Sequence, residues 1–64
     1  MPAIETNTRK IIARLRAEGW VEVGGSKHAK YEHANWPEVL IIVPRHKQQS
    51  PGVARSIARL AGWI

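Results

Sequence analysis

Apolar and polar positions repeat with two different periods along this chain, and each change of period falls at a residue that favours a turn or a cap. Thr6, Asn7 and Thr8 offer side-chain acceptors immediately before a stretch in which Ile11, Ile12 and Leu15 form one apolar stripe at helical spacing. Arg9, Lys10 and Arg16 fall mainly outside that stripe and are expected to stay wet, and Gly19 stands where a glycine commonly terminates a helix. The spacing predicts a helix of about three turns over Arg9–Glu18.

The period then shortens. Trp20-Val21-Glu22-Val23 is rich in strand formers and alternates, Gly24-Gly25-Ser26 can turn cheaply, and Lys27 to His33 alternates again. This predicts a hairpin with Ala29, Tyr31 and His33 on one face and His28, Lys30 and Glu32 on the other. Ala34-Asn35-Trp36-Pro37 reads as a second turn, followed by a third strand over Glu38–Val43 that Pro44 stops. The unbroken apolar run Val39 to Val43 implies contact on both faces, or a helix against one face and a partner against the other.

After a polar loop from Arg45 to Gln49, Ser50-Pro51 reads as an N-cap with proline in the first turn. Val53, Ile57, Leu60, Ala61 and Ile64 make one stripe of the last helix, with Gly62 ending regular structure before Trp63 and with Arg55 and Arg59 opposite. The resulting order, α-β-β-β-α, predicts a two-layer α+β sandwich: a three-stranded antiparallel sheet with both helices on one face. The other face, bearing His28, Lys30 and Glu32, stays open.

Size and charge narrow the possibilities. Sixty-four residues form one domain, 1–64, which buries only about 60% of its unfolded surface and has no cysteine to staple it. The longest apolar run is five residues, far short of a bilayer span, and the N-terminal segment does not resemble an export signal, so a cytoplasmic protein without membrane association is expected. Ten Lys and Arg residues against five glutamates give a net charge of +5, and Arg45, Lys47, Arg55 and Arg59 place four of those cations in a C-terminal third without an acid. A polyanion, RNA or DNA, is the partner this distribution suggests.

Chemistry has few places to reside. His28 and His33 are five apart on one predicted strand and point to opposite faces, so a shared metal ion is not expected, and no cofactor motif is present. The chain has no aspartate and its glutamates are scattered, which leaves no convincing carboxylate pair or Ser-His-Asp set. What remains is His28, an imidazole just after a glycine turn, between Lys27 and Lys30 and on the open face. Imidazole is the side chain suited to proton transfer near neutral pH. His33 reads as a partly buried strand residue and His46 as a loop residue; Trp20 and Tyr31 read as core, while Trp36 is the better stacking or interface candidate.

Four short blocks, in order, resemble a known family. They are Gly19-Trp20; Gly25-Ser26-Lys27-His28-Ala29-Lys30-Tyr31-Glu32-His33; Val43-Pro44; and Pro51-Gly52-Val53-Ala54-Arg55-Ser56-Ile57 with Ala61-Gly62. Together they cover nearly the whole chain and look like the HicA toxins of bacterial type II toxin-antitoxin systems. The resemblance implies a fold like the double-stranded-RNA-binding domain, metal-independent cleavage of mRNA by a single catalytic histidine, and neutralisation by a HicB-type antitoxin. The family's histidine follows a glycine-serine turn and precedes an aromatic residue and often a second histidine; Lys27 intervenes here between Ser26 and His28, and the spacing from His28 to Tyr31 and His33 carries the match. On this reading His28 is catalytic and Lys27, Lys30, Arg45, Lys47, Arg55 and Arg59 contact RNA. The alternatives are a non-catalytic RNA- or DNA-binding module on the same basic surface and a subunit that binds only protein.

Overall fold

A computed structural model describes residues 4–24 and 27–64. The elements follow the order α1 (Thr8–Ala17), β1 (Val21–Glu22), β2 (His28–His33), β3 (Trp36–Pro44) and α2 (Pro51–Leu60). The strands form one antiparallel sheet in the order β1-β2-β3, the α+β sandwich of the double-stranded-RNA-binding domain. Both helices pack against one face: Ile11 and Leu15 from α1 and Ile57 from α2 meet Ala29, Tyr31, Ile41 and Val43 from the sheet, with Trp20 closing one end. Each fully buried large side chain among these contributes about 1.5–3 kcal/mol from water exclusion, which is how so short a chain offsets its ordering entropy.

Local chemistry explains the boundaries. Of the three candidate caps, Asn7 is the one used, its side chain accepting from the Lys10 N–H, and Gly19 leaves α1 with a φ of +96°. Ser50 caps α2 by accepting from the Val53 N–H, with Pro51 in the first turn. At the far end of α2, Gly62 at φ +82° lets the Trp63 N–H reach the Ala58 carbonyl at 2.7 Å and the Gly62 N–H reach Arg59 at 3.2 Å. This paired closure satisfies carbonyls that the helix end leaves open.

Three expectations need correction. Trp36 and Pro37 are not a turn: β3 already begins at Trp36, which pairs with His33, and only Ala34 and Asn35 form the turn. Proline is tolerated there because β3 is an edge strand, where a residue can lack an N–H without breaking a ladder. The pairing shifts register between Tyr31 and His33, which accommodates the longer β3. In α2, Ile57 is buried and Val53 and Ala61 pack partly buried against the core as expected, but Leu60 and Ile64 are 48% and 59% exposed, and Ala54 and Ala58 are buried instead. Small alanines let α2 approach the sheet closely, while Leu60, the last helical residue, is left largely exposed. Finally, β1 is shorter than Trp20–Val23, although the Val23 N–H still reaches the Lys30 carbonyl at 2.7 Å. Of the predicted Gly24-Gly25-Ser26 turn, Gly25 and Ser26 lie outside the described residues.

Candidate active site

His28 opens β2, with its Cα opposite Pro44 of β3. Strand alternation puts Ala29 and Tyr31 into the core, 2% and 0% exposed, and therefore turns His28, Lys30 and Glu32 outward. The His28 ring is exposed and makes no hydrogen bond among the described residues. Lys30 follows on the same face, about 7 Å along the strand. Lys27, immediately before His28, is also exposed.

The same face carries uncovered apolar side chains. Leu40 and Ile42 on β3 are 41% and 44% exposed, Ile42 opposite Lys30, and Val21 on β1 is 62% exposed opposite Glu32. Ile41 and Val43 between them are buried under the helices. The apolar run of β3 is thus covered on one side by helices and open on the other.

Arg45 follows Pro44 and so stands at the His28 end of the sheet, where its guanidinium lies 3.6 Å from Glu22. That carboxylate also accepts from the Tyr31 hydroxyl at 3.2 Å and from Arg16 at 3.4 Å. Burial, and then the negative charge of Glu22, hold the Tyr31 phenol above its ordinary ionisation range. No spacing rule could have found this junction, because its members come from α1, β1, β2 and the loop after β3.

Lys47 and His46 are exposed in the loop between β3 and α2. The loop is fastened to the start of α1: the Thr8 N–H donates to the Lys47 carbonyl at 3.0 Å, and the Thr8 hydroxyl donates to the His46 carbonyl. Arg55 and Arg59 are exposed on α2, whose neighbours Ala54, Ile57 and Ala58 face inward. They emerge on the outer side of the helical layer, while His28 and Lys30 face out from the opposite side of the sheet. The expected RNA contacts therefore divide into a group at the His28 end, Lys27, Lys30, Arg45 and Lys47, and a separate pair on α2.

His33 is a structural residue, as its position suggested. Its Nδ1 accepts from the Asn35 N–H at 3.1 Å, which assigns the proton to Nε2, and Nε2 donates to the Glu18 carbonyl at 2.9 Å. The ring stands edge-on to Trp20 and tilted against Trp36, with centroid distances of 5.1 and 4.6 Å. Trp36 stacks on Trp20 at 6.1 Å and remains 47% exposed.

No helix among the described residues is long and apolar enough to cross a membrane. No curated protein matches the chain. The family model for HicA toxins of bacterial toxin-antitoxin systems matches residues 8–63, from the first residue of α1 to Trp63, and the chain accordingly belongs to the HicA toxin family.

Proposed function

We propose that this toxin is an endoribonuclease that cleaves mRNA at His28 without a metal ion and is silenced by a HicB-type antitoxin. Membership in a family of toxins that are generally nucleases supports the reaction class. The observation that carries the assignment is the exposed His28 imidazole, without a hydrogen-bond partner among the described residues, on an open face beside Lys30. An imidazole whose nitrogens are not committed to the fold is available to exchange protons with a substrate.

In the proposed step an RNA 2′-hydroxyl loses its proton as its oxygen attacks the adjacent phosphorus. The P–O5′ bond breaks, leaving a 2′,3′-cyclic phosphate on one fragment, and the departing 5′-oxygen gains a proton. His28 acts either as the base at the 2′-hydroxyl or as the acid at the 5′-oxygen, a function generally worth about 10²–10⁴-fold. Lys27, Lys30 and Lys47 stabilise charge building on the phosphate, with Arg45 at the same end of the sheet. Arg55 and Arg59 contribute RNA attraction from the outer face of α2, away from the reacting phosphate. The antitoxin covers the open sheet face, which hides both His28 and the exposed Val21, Leu40 and Ile42.

Purified toxin incubated with RNA and a chelator should yield fragments ending in 2′,3′-cyclic phosphate, and His28→Ala should lose cleavage while keeping its fold. A rate that rises with pH identifies His28 as the base, and one that falls identifies it as the acid. RNA retardation without fragments would instead support the non-catalytic binding module. Full activity in the His28→Ala protein would overturn the assignment.

A further inference from the structure

A second feature of the His28 end lies outside the sheet face. The start of α1 and the loop after β3 enclose an open cleft of about 910 Å³. Arg9 and Lys10 stand on one wall, Arg45, His46 and Lys47 on the other, and Ile12 contributes apolar surface between them.

The walls are held in register. Asn7 and Gln48 form a β-bridge, the Gln49 N–H donates to the Thr6 carbonyl at 2.8 Å, and the Thr6 hydroxyl donates to the Gln48 side-chain oxygen at 3.0 Å. Gln49 itself is only 4% exposed, and its amide nitrogen donates to the Thr8 hydroxyl and the Pro44 carbonyl, each at 2.7 Å. A buried, satisfied amide is costly to displace, so the loop is fixed against α1.

This frame holds like charges close together. Among the described residues, Arg9, Lys10 and Lys47 have no carboxylate within 4.0 Å, while Arg45 shares Glu22. The Asn7 side chain accepts from the Lys10 N–H and the Glu5 carboxylate accepts from the Asn7 N–H at 3.0 Å, and among the described residues Glu5 forms no ion pair with the cleft cations. A polyanion would relieve their repulsion, and the aliphatic stems with Ile12 would contact its sugars. Because His28 pairs with Pro44, three residues before Lys47, strand spacing and chain reach limit the Cα separation of His28 and Lys47 to about 16 Å.

We propose that this cleft grips the phosphate backbone of single-stranded RNA on one side of the bond cleaved at His28. The inference rests on the ribonuclease reading for its substrate and adds a binding track through Arg9 and Lys10. It also makes the cleft, rather than the arginine pair on α2, the main anchor for the strand.

The test measures binding of a labelled single-stranded RNA to His28→Ala protein across a salt series, so that RNA is not consumed. Replacing Arg9 and Lys10 with Ala should weaken binding and reduce the slope of log K against log salt by about 1.4, at roughly 0.7 per lost phosphate contact. Lys47→Ala, on the other wall, should reduce it by about 0.7 and decides the matter if circular dichroism shows the double variant unfolded. Replacing Arg55 and Arg59 with Ala removes equal charge and should have the smaller effect. Equal losses from both pairs, an unchanged slope in the folded cleft variants, or no RNA binding by the His28→Ala protein would overturn the cleft. Cleft-dependent binding by a wild-type protein that cuts no RNA would retain the cleft and remove the nuclease reading. Normal cleavage with unaltered binding in the cleft variants would do the reverse.

Discussion

Gly19 and His33 are packed so closely that a β-carbon on residue 19 would lie 2.8 Å from His33 Nε2. That nitrogen is the one donating to the neighbouring Glu18 carbonyl, so the helix end and the β2–β3 turn are fitted to each other through a position without a side chain. Gly19→Ala combines this clash with a φ of +96°, which disfavours any residue with a β-carbon. It should destabilise the protein by about 2 kcal/mol or more in urea unfolding. Unchanged stability would show that His33 can move aside freely.

The C-terminal turn gives a stability signal with a defined pH direction. Trp63 Nε1 donates to Glu18 at 2.7 Å, Arg14 pairs with the same carboxylate at 3.1 Å, and the Arg14 guanidinium lies 4.2 Å from the Trp63 ring centroid. The Trp63 hydrogen bond chiefly, and Arg14 after it, hold the Glu18 carboxyl below its ordinary range despite an opposing effect of burial. A depressed folded value contributes stability above the ordinary carboxylate pKa and loses it as pH falls through the folded value. Trp63→Phe should therefore be less stable than wild type at neutral pH, with the gap narrowing below about pH 4. Thermal unfolding across pH checks this, and a gap independent of pH would contradict it.

Tyr31 is the chain's one tyrosine, which makes its ionisation directly readable. Ultraviolet titration should show it ionising above the range of free tyrosine, because burial and then Glu22 oppose the phenolate. A raised folded value leaves its stability contribution intact below the ordinary phenol pKa and removes it as pH climbs through the folded one. Tyr31→Phe keeps the buried ring and leaves Glu22 its arginines, so the cost should be about 1 kcal/mol, that of one hydrogen bond. A loss several times larger would mean that the hydroxyl organises the whole junction.

The uncovered strip on the sheet tests the proposed antitoxin surface. Leu40→Lys and Ile42→Lys replace exposed side chains and should leave the fold intact while raising the dissociation constant for the cognate antitoxin at least about tenfold. Titration calorimetry with purified antitoxin reads this. Unaltered affinity in both variants would place the antitoxin elsewhere.

Residues with local jobs are legible in the sequence. Ser50 and Pro51 start α2, Gly19 ends α1, and alternation from His28 to Tyr31 assigns each side chain its face. The misreadings have a common cause in tertiary pairing. Trp36 looked like a turn residue because Pro37 follows it, and only the edge position of β3 makes that proline harmless. Leu60 looked like core because helical periodicity carries no information about where the opposing sheet stops. Glu22 and Gln49 gave no signal, since their partners lie far away in sequence: Glu22 meets Arg45, and Gln49 meets Thr8 across 41 positions. The face and exposure of His28 were readable from its strand; the cleft beside it required the fold to bring residues 9 and 47 together.

Both ring nitrogens of His33 are occupied within the fold, and this has a use at the bench. Reagents that acylate imidazole need a bare, solvent-facing nitrogen, so they should label His28 and His46 and spare the third ring. With no cysteine to compete, the four lysines are the main rival nucleophiles, and on the proposed function acylation of His28 should stop cleavage. Shielding of one of the two labelled rings on adding RNA or antitoxin would then map which reaches each position, without altering a single codon.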